Sequence, residues 1–163
     1  MTELEQAVYA ALDALGAAYT RHEHPPVFTV EEAEQHWRDI DAVHCKNLFI
    51  RNKKGTSHYL VVVERSKSVD MKRLTAALGE DRLSFASSER LATHLGLTAG
   101  AVSPFGIIND RTNSVTLVLD EDLRSAPRVA FHPNVNTATI ALAFADFERF
   151  LASQRNPVRY LRF

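Results

Sequence analysis

Three separated segments contain the side chains and backbone groups most suited to chemistry: residues 45–49 (CKNLF), residues 100–104 (GAVSP) and residues 131–134 (FHPN). The first supplies an ammonium group beside a carboxamide, the second a glycine-to-proline loop, and the third an imidazole. Such groups can anchor a substrate and orient a water molecule without a side-chain nucleophile. The combination predicts electrostatic catalysis of hydrolysis, most simply of an ester.

Lys46 is the residue on which this prediction depends most. A lysine ammonium keeps its proton at neutral pH, so anchoring or positioning is expected rather than proton abstraction. Asn47 can donate and accept hydrogen bonds, but adjacent strand residues point to opposite faces, so both side chains reach one cavity only if the strand is distorted. Without the other two segments, Lys46 would be interpreted as a surface lysine at the start of a strand.

The loop from Gly100 to Pro104 is expected to present backbone groups to a ligand. Glycine permits unusual dihedral angles and proline stiffens the exit, which leaves the N–H and C=O groups of Ala101, Val102 and Ser103 available to position water or an oxyanion. A GxxxP pattern alone is typical of ordinary turns. Ser103 has no G-x-S-x-G surroundings and no acid–histidine pair placed by sequence, so we reject a serine-hydrolase triad.

His132 precedes a proline, which favours an extended backbone, and a neutral imidazole there can bind a substrate amine or orient the loop. The alternative is a buried structural histidine. Cys45 has His44 and Lys46 beside it only in sequence, which is not the geometry that activates a thiol. The other histidines lack metal-binding spacing, so we expect neither a metal nor another cofactor.

The composition indicates one domain spanning residues 1–163, because 163 residues with 45% hydrophobic content fit one core and not two. There is no run of 18 apolar residues, and the first residues, MTELEQ, lack the basic and then apolar pattern of a secretory signal. We therefore expect a cytoplasmic protein without a membrane partner. The single cysteine excludes an internal disulfide.

Charge is distributed unevenly although the net charge is −1. Residues 1–43 hold nine acids and two arginines, whereas residues 44–73 hold eight bases and two acids. Residues 149–163 form a tail with four arginines and no acid. The second region and this tail predict phosphate binding, although solvated faces of a hairpin and a terminal helix are an equal alternative. The candidate phosphate contacts are Arg51, Lys53, Lys54, Arg155 and Arg159. DNA is not expected, because no basic recognition helix is evident.

The elements that must position these groups follow from caps, turns and periodicity. Helices are predicted from Thr2 to about residue 15, from Thr29 to about Trp37, and over residues 70–78, 88–95 and 145–154, the last introduced by Asp146. Strands are predicted over residues 18–21, 47–52, 57–64, 83–86, 107–108, 115–119, 128–131 and 137–141. Consecutive strands without intervening helices favour an α/β (α+β) fold with a mixed, largely antiparallel sheet packed by helices.

With these residues in view, nearly the whole chain resembles the YbaK/ProX family of aminoacyl-tRNA deacylases, relatives of the editing domain inserted in bacterial prolyl-tRNA synthetases. The resemblance rests on CKNLF at 45–49, GxxxP at 100–104, and FHPN at 131–134 followed by Asn136-Thr137-Ala138-Thr139. With His24-Pro25-Pro26, it is closest to the free-standing ProXp-ala (PrdX) type, which clears alanine from mischarged proline tRNA. The cysteine-specific YbaK type is the nearest alternative.

The resemblance implies that Lys46 anchors the terminal adenosine of tRNA(Pro) near its phosphate and that hydrolysis is substrate-assisted. A proline-sized synthetase pocket rejects alanine weakly, since each missing methylene contributes only about 1–3 kcal/mol, so a second, tighter site is needed. We expect Val30, Phe49, Val102 and His132 to line it, with Asn136 as a further substrate contact. Prolyl-tRNA synthetase or elongation machinery are possible partners, and a non-catalytic tRNA- or synthetase-binding module is the remaining alternative.

Overall fold

The computed structural model describes the backbone of residues 1–163 and every side chain except that of Val30. Helices α1 to α5 span Glu3–Ala14, Val30–Trp37, Met71–Ala77, Ser88–Leu95 and Phe144–Gln154. Strands β1 to β8 span Tyr19–Glu23, Val43–Asn52, His58–Glu64, Leu83–Phe85, Val115–Asp120, Arg128–Phe131, Ala138–Ala143 and Val158–Leu161. Short 3-10 helices cover Ala99–Ala101, Pro104–Asn109 and Glu121–Ser125.

Local sequence signals account for most helix ends. The Thr2 hydroxyl accepts the N–H of Glu5 at 3.2 Å at the start of α1, and the Thr29 hydroxyl accepts the N–H of Glu32 at 3.1 Å at the start of α2. These bonds satisfy N–H groups that have no partner inside the helix. Gly96 ends α4 with φ of +66°, a left-handed conformation that favours glycine. The predicted helix starts at these caps are confirmed.

The eight strands form one sheet in the order β1-β7-β6-β2-β3-β5-β8, with β4 paired to β2. Four strand pairs are antiparallel and three are parallel. The predicted mixed sheet packed by helices is confirmed. It is antiparallel by a small margin only, because the pairs β2–β6, β3–β5 and β5–β8 are parallel.

Helices cover both faces of the sheet. Along β3, Leu60 and Val62 join the main core, to which α1, α4 and α5 also contribute. Val61 and Val63 alternate to the other face and pack with α3. A strand buried on both faces is apolar at consecutive positions, which explains the run of residues 60–63. Helix α2 also covers this second face, at the part formed by β6 and β7.

Several predicted boundaries require correction. Residues 107–108 do not form a strand: they belong to the 3-10 helix Pro104–Asn109, which starts with a proline and is capped by the Ser103 hydroxyl. Strand β2 begins at Val43, four residues earlier than predicted, because its first residues pair with β6. Strand β7 extends to Ala143, and α5 begins at Phe144 without a side-chain cap, so Asp146 lies inside its first turn. Strand β8 was not predicted.

One junction in the sheet is unusually short. Strands β2 and β6 pair in parallel through two residue pairs only, Val43 with Val129 and His44 with Ala130. Beyond His44, strand β2 continues along β3, whereas β6 continues along β7. We call this two-pair junction the seam. Among the described helices, none has the length and apolar character needed to cross a membrane.

Candidate active site

A cavity of about 350 Å³ lies where β2 and β6 separate beyond the seam. Its walls come from the end of α2, the start of β2, the loop after α4, the end of β6 and β7. The lining residues are Trp37, His44, Cys45, Lys46, Asn47, Ala99, Gly100, Val102, Ala130, Phe131, His132 and Thr139. All three segments singled out in the sequence therefore meet in one place.

Lys46 and Asn47 both line the cavity although they point to opposite faces of β2. Because β6 has diverged at this point, the cavity occupies the gap between the strands and is lined by residues from both faces of the sheet. Lys46 extends from the α2 side, on which His44 and Ala130 also lie, and forms no ion pair with any described carboxylate. The Oδ1 atom of Asn47 is buried and has no hydrogen-bond partner among the described residues.

The hydrogen bonds of His132 identify its tautomer. Its Nδ1 atom lies 2.9 Å from the carbonyl oxygen of Ala138. A carbonyl only accepts, so Nδ1 carries the proton and Nε2 keeps a lone pair. Burial lowers the pKa of His132, and the nearby His24 lowers it further, so the neutral ring is favoured.

A second histidine orients a hydroxyl group of the cavity wall. His24 is 6% exposed, and its Nδ1 atom lies 2.9 Å from the carbonyl oxygen of Pro25, so this nitrogen is the donor. In the neutral ring, its Nε2 atom then accepts the hydroxyl proton of Thr139, at 2.9 Å. Thr139 lines the cavity, and its hydroxyl oxygen keeps lone pairs that can accept a hydrogen bond while its proton is engaged.

The glycine-to-proline loop contributes fewer groups than expected. Gly100 and Val102 line the cavity, whereas Ala101, Ser103 and Pro104 are buried beneath it. The N–H of Ala101 donates to Thr98, and the Ser103 hydroxyl accepts the N–H of Phe105 at 3.1 Å. Gly100 has no positive φ, so the expected unusual dihedral angle is absent. A Cβ atom there would lie 3.6 Å from Nδ2 of Asn136, which places Asn136 beside the loop.

Two further expectations for the pocket have different outcomes. Phe49 was expected in the pocket, but it is 5% exposed in the main core and stacks on His58, with 5.6 Å between ring centroids. Its position in β2 places it beyond the gap, where β2 pairs with both β3 and β4. The side chain of Val30 lies outside the described residues, so its expected contact stays a prediction.

Cys45 lines the cavity but is not an activated thiol. Burial raises its pKa, and the charges of Asp120 and Glu64 raise it further. The thiolate needed for nucleophilic attack is therefore disfavoured. No group of three or more His, Cys, Asp or Glu side chains is placed to hold a metal ion within the described part of the chain.

The proposed phosphate contacts lie away from the cavity. Lys53 and Lys54 occupy the turn between β2 and β3, about 23 Å from Lys46 at the usual rise of a strand. Arg51 donates to the carbonyl oxygens of Asn52 and Lys53 near that turn. Arg155 ends α5, and Arg159 on edge strand β8 donates to the carbonyl oxygen of Ala77.

Trp37, His44 and Thr139 line the cavity without having been assigned to it from the sequence. The rings of Trp37 and His44 stack with centroids 4.7 Å apart, and the Arg65 guanidinium lies over the Trp37 ring at 5.2 Å. Burial is the main cause that lowers the pKa of His44. One signal was present for Trp37, because tryptophan is enriched at interfaces, where its ring is buried and its N–H finds a partner.

Comparison with known proteins gives consistent matches. The profile of the family described as "Aminoacyl-tRNA editing domain" matches residues 24–150. A protein of Acetoanaerobium sticklandii named "Prolyl-tRNA editing protein ProX" is 46% identical over 156 residues, covering 94% of each chain. The "Prolyl-tRNA synthetase associated domain-containing protein 1" of Danio rerio is 35% identical, covering 96% of this chain and 86% of its own.

Solved structures share the fold. A crystal structure described as that of a candidate trans-editing enzyme for prolyl tRNA synthetase superposes with a TM-score of 0.73 at 23% identity, covering 100% of this chain and 99% of that one. The crystal structure of the hypothetical protein APE2540 gives a TM-score of 0.72 at 20% identity, covering 94% and 96%. Both therefore support the arrangement of the sheet and helices described above.

Proposed function

Because the chain belongs to the aminoacyl-tRNA editing domain family, we propose that it hydrolyses the ester that joins a wrongly attached amino acid, alanine above all, to the terminal ribose of proline tRNA. It is accordingly an aminoacyl-tRNA deacylase. The proline tRNA is proposed from the name of the relative that is 46% identical, and alanine from the family type whose sequence motifs this chain resembles most.

The observation that carries the proposal is the meeting of Lys46, the Gly100–Val102 turn and His132 around one cavity. These groups come from distant parts of the chain, and each supplies a different function: a cation, backbone amides, and a neutral hydrogen-bond acceptor. Neither the Cys45 thiol, which has a raised pKa, nor the Ser103 hydroxyl, which is buried as a cap, is an activated nucleophile. Attack by water is the reaction that fits such a set.

In the proposed mechanism, Lys46 binds the phosphate or ribose of the terminal nucleotide and holds the ester in the cavity. A water molecule held by the Gly100–Val102 turn adds to the ester carbonyl carbon, and backbone N–H groups stabilise the charge that develops on the carbonyl oxygen. The carbon–oxygen bond to the ribose then breaks, and the ribose oxygen leaves with a proton from the attacking water. The products are a free amino acid and a tRNA with its terminal hydroxyl restored.

We assign binding of the substrate's α-ammonium group to the acceptors of the cavity. His132 Nε2 and Thr139 Oγ1 present lone pairs, and Asn47 Oδ1 is buried and unpartnered within the described residues. A buried acceptor without a donor is costly, so an ammonium group with several N–H donors complements this wall. The secondary amine of proline offers one donor fewer, which favours release of alanine over proline.

Arg51, Lys53, Lys54, Arg155 and Arg159 remain proposed tRNA contacts. The separation of about 23 Å between the Lys53–Lys54 turn and Lys46 matches contacts with a duplex acceptor stem rather than with its terminal nucleotide. Such contacts contribute affinity that decreases as the salt concentration rises. Asn136, beside Gly100, remains a proposed substrate contact.

The test is release of labelled amino acid from alanyl-, cysteinyl- and prolyl-tRNA(Pro), with the wild type compared with Lys46→Ala. We expect rapid loss of alanine only, and at least about 100-fold slower loss with Lys46→Ala, since an ester misplaced by about 1 Å after loss of its anchor typically reacts more slowly by this factor. Lys72→Ala, which removes an exposed lysine on α3, is the matched control and should leave the rate unchanged. Undiminished turnover by Lys46→Ala would sink the assignment.

Rapid loss of cysteine would instead assign the chain to the YbaK type. Loss of no amino acid, with tRNA still bound, would favour a non-catalytic binding module.

A further inference from the structure

Strand β2 has an open edge along the gap. Its pairing with β6 ends at His44, and bonding on the β4 side begins at Phe49, whose carbonyl oxygen accepts the N–H of Ala86 at 2.9 Å. We propose that the aminoacyl group of the substrate pairs with this open edge as a strand residue would. Its ammonium group donates to the carbonyl oxygen of Cys45, and its ester carbonyl oxygen accepts the N–H of Asn47.

The hydrogen bonds of β2 show which of its main-chain groups face the gap. In an antiparallel pair, alternate residues exchange bonds with the partner strand, and the residues between them point away from it. The carbonyl oxygen of His44 accepts the N–H of Arg65 at 3.0 Å, and that of Ser57 accepts the N–H of Asn52 at 3.1 Å. Even-numbered residues of β2 thus bond β3. The N–H and C=O groups of Asn47 therefore face the gap.

The same alternation applies to β6. The carbonyl oxygen of Pro127 accepts the N–H of Phe144 at 3.2 Å, so odd-numbered residues of β6 bond β7, and even-numbered ones face β2. Continued parallel pairing would join the N–H of His132 to Cys45 and the N–H of Asn47 to His132. Neither bond forms within the described part of the chain, so these groups remain for a ligand. All three residues line the cavity.

An α-aminoacyl ester carries the groups that this edge lacks. In parallel pairing, a residue donates its N–H to one residue of the neighbouring strand, and its C=O accepts from the residue two positions further on. Cys45 and Asn47 are two positions apart, so one aminoacyl group can pair with both. Main-chain groups that are removed from water need such partners, and both residues are half-buried.

This pairing would contribute to catalysis, and that step rests on the proposed function. The N–H of Asn47 lies at the oxygen on which negative charge develops. As water adds to the carbonyl carbon, an electron pair of the C=O bond moves to this oxygen, and it returns when the ribose oxygen leaves with a proton from the water. The loop after α4 is left to position the water, because the N–H of Ala101 already donates to Thr98.

The pairing also selects one enantiomer of the amino acid. A residue that bonds both Cys45 and Asn47 lies opposite Lys46, and opposite residues project to the same face of a sheet. The methyl group of L-alanine then lies on the α2 side, where Trp37 and Ala130 line the cavity. The methyl group of D-alanine would turn to the other face.

The test removes only the N–H of Asn47, by replacing this residue with its α-hydroxy acid analogue. The control is the same replacement at Tyr160 on edge strand β8. The carbonyl oxygen of Pro157 accepts the N–H of Leu117 at 2.9 Å, so the N–H of Tyr160 faces away from β5. We expect kcat for alanyl-tRNA(Pro) to fall about 100-fold at position 47, the usual effect of losing one such donor, and to stay unchanged at position 160.

A stable analogue reports the contact without hydrolysis. Alanine joined through an amide to 3′-amino-3′-deoxyadenosine is titrated into ¹⁵N-labelled protein, and the nucleoside alone is the control ligand. The amide proton of Asn47 should move downfield with the alanyl analogue only, whereas that of Tyr160 should not move. The wild type should also hydrolyse L-alanyl-tRNA(Pro) at least about 10-fold faster than the D-alanyl form, the usual effect of one misplaced methyl group.

Unchanged kcat in the folded position-47 variant, no shift of the Asn47 amide proton, or equal rates for the two enantiomers would each overturn the proposal. Normal deacylation of alanyl-tRNA(Pro) by the wild type together with any of these results would reject the strand-like pairing alone. A shifted Asn47 amide proton without deacylation by the wild type would reject the proposed function and support the pairing.

Discussion

The hydroxyl of Thr139 has one orientation available, because His24 accepts its proton and the carbonyl oxygen of Pro25 fixes the tautomer of His24. The two bonds convert an ordinary hydroxyl, which both donates and accepts, into an acceptor only. His24 is thus a positioning residue that acts through Thr139. The arrangement would discriminate between amine-bearing and amine-free substrates.

Thr139→Val should lower kcat/KM for alanyl-tRNA(Pro) by about 10- to 150-fold, since loss of one hydrogen bond to a charged group costs about 1.5–3 kcal/mol. Thr139→Ser restores the hydroxyl and should recover most of the activity. The measurement compares alanyl-tRNA with lactyl-tRNA, in which a hydroxyl replaces the amine. An equal loss for both substrates would show that Thr139 does not contact the amine.

Ser103 belongs to the fold rather than to the reaction. It is fully buried, and its hydroxyl accepts the N–H of Phe105 at the start of a 3-10 helix. Ser103→Ala should therefore lower the free energy of unfolding by about 1 kcal/mol, the usual cost of losing such a cap, and leave deacylation unchanged. Urea unfolding and the deacylation assay measure the two effects. Ser88→Ala, at an exposed serine, is the control, and an inactive but folded Ser103→Ala would contradict this interpretation.

At the residue scale, the sequence predicted the members of the site that lie in recognisable motifs. Lys46, Asn47, Gly100, Val102 and His132 were all expected, and all line the cavity. Trp37, His44 and Thr139 were missed because their presence depends on the pairing of β2 with β6. The paired residues His44 and Ala130 are separated by 86 positions (44 to 130), and no local pattern encodes that contact.

At the scale of elements, a histidine cluster joins the β2–β3 hairpin to α4. Nη1 of Arg90 lies 3.1 Å from Nε2 of His58 and 3.3 Å from the carbonyl oxygen of Gly55. The centroids of the His94 and His58 rings lie 3.9 Å apart. Arginine always donates, so His58 must accept at Nε2. The pKa of His58 is lowered to about 4, chiefly by burial and also by the charges of His94, Arg90 and Arg51, which Asp110 opposes.

This cluster predicts a loss of stability in acid. The unfolded chain protonates His58 at its ordinary pKa near 6.5 and the folded chain only near 4, so the unfolded state binds more protons between these values. The contribution is fully present above pH 6.5 and decreases as the pH falls towards 4, by at most about 1.4 kcal/mol per pH unit. Urea unfolding at several pH values measures it. His58→Gln should flatten this dependence, and an unchanged slope would contradict the assignment.

Elements with a strong local signal were predicted, and those set by distant contacts were not. Thr2, Thr29 and Asp70 cap helices as expected, and the hairpin around residues 53–56 has the expected strands. Residues 107–108 were assigned to a strand because two adjacent isoleucines favour one. Pro104 and the Ser103 cap instead begin a 3-10 helix, which still buries Ile107 at 1% exposure.

At the scale of the whole molecule, the cavity and the basic turn around Lys53 and Lys54 lie at opposite ends of β2. The cavity lies at the start of this strand, and the basic turn follows its other end. A ten-residue strand therefore links the proposed site of ester cleavage to the proposed contacts with the acceptor stem. The sequence predicted both groups of residues. It could not predict their separation, since that requires the length and direction of β2 within the sheet.

The seam has a further consequence for how the molecule fluctuates. Its two residue pairs are the only ladder between the β1-β7-β6 part of the sheet and the rest, so few backbone hydrogen bonds must break to open it. Local opening should begin there and leave the core strands intact. In hydrogen–deuterium exchange, the amides of Val43 and His44 should exchange well before those of Leu60 and Val118, which lie in the five-pair ladder between β3 and β5. Equal protection at both places would show that the sheet opens as one unit. If Val43 and His44 exchange first, the gap that contains the proposed active site adjoins the least protected part of the sheet, and the width of this gap can vary while the protein stays folded.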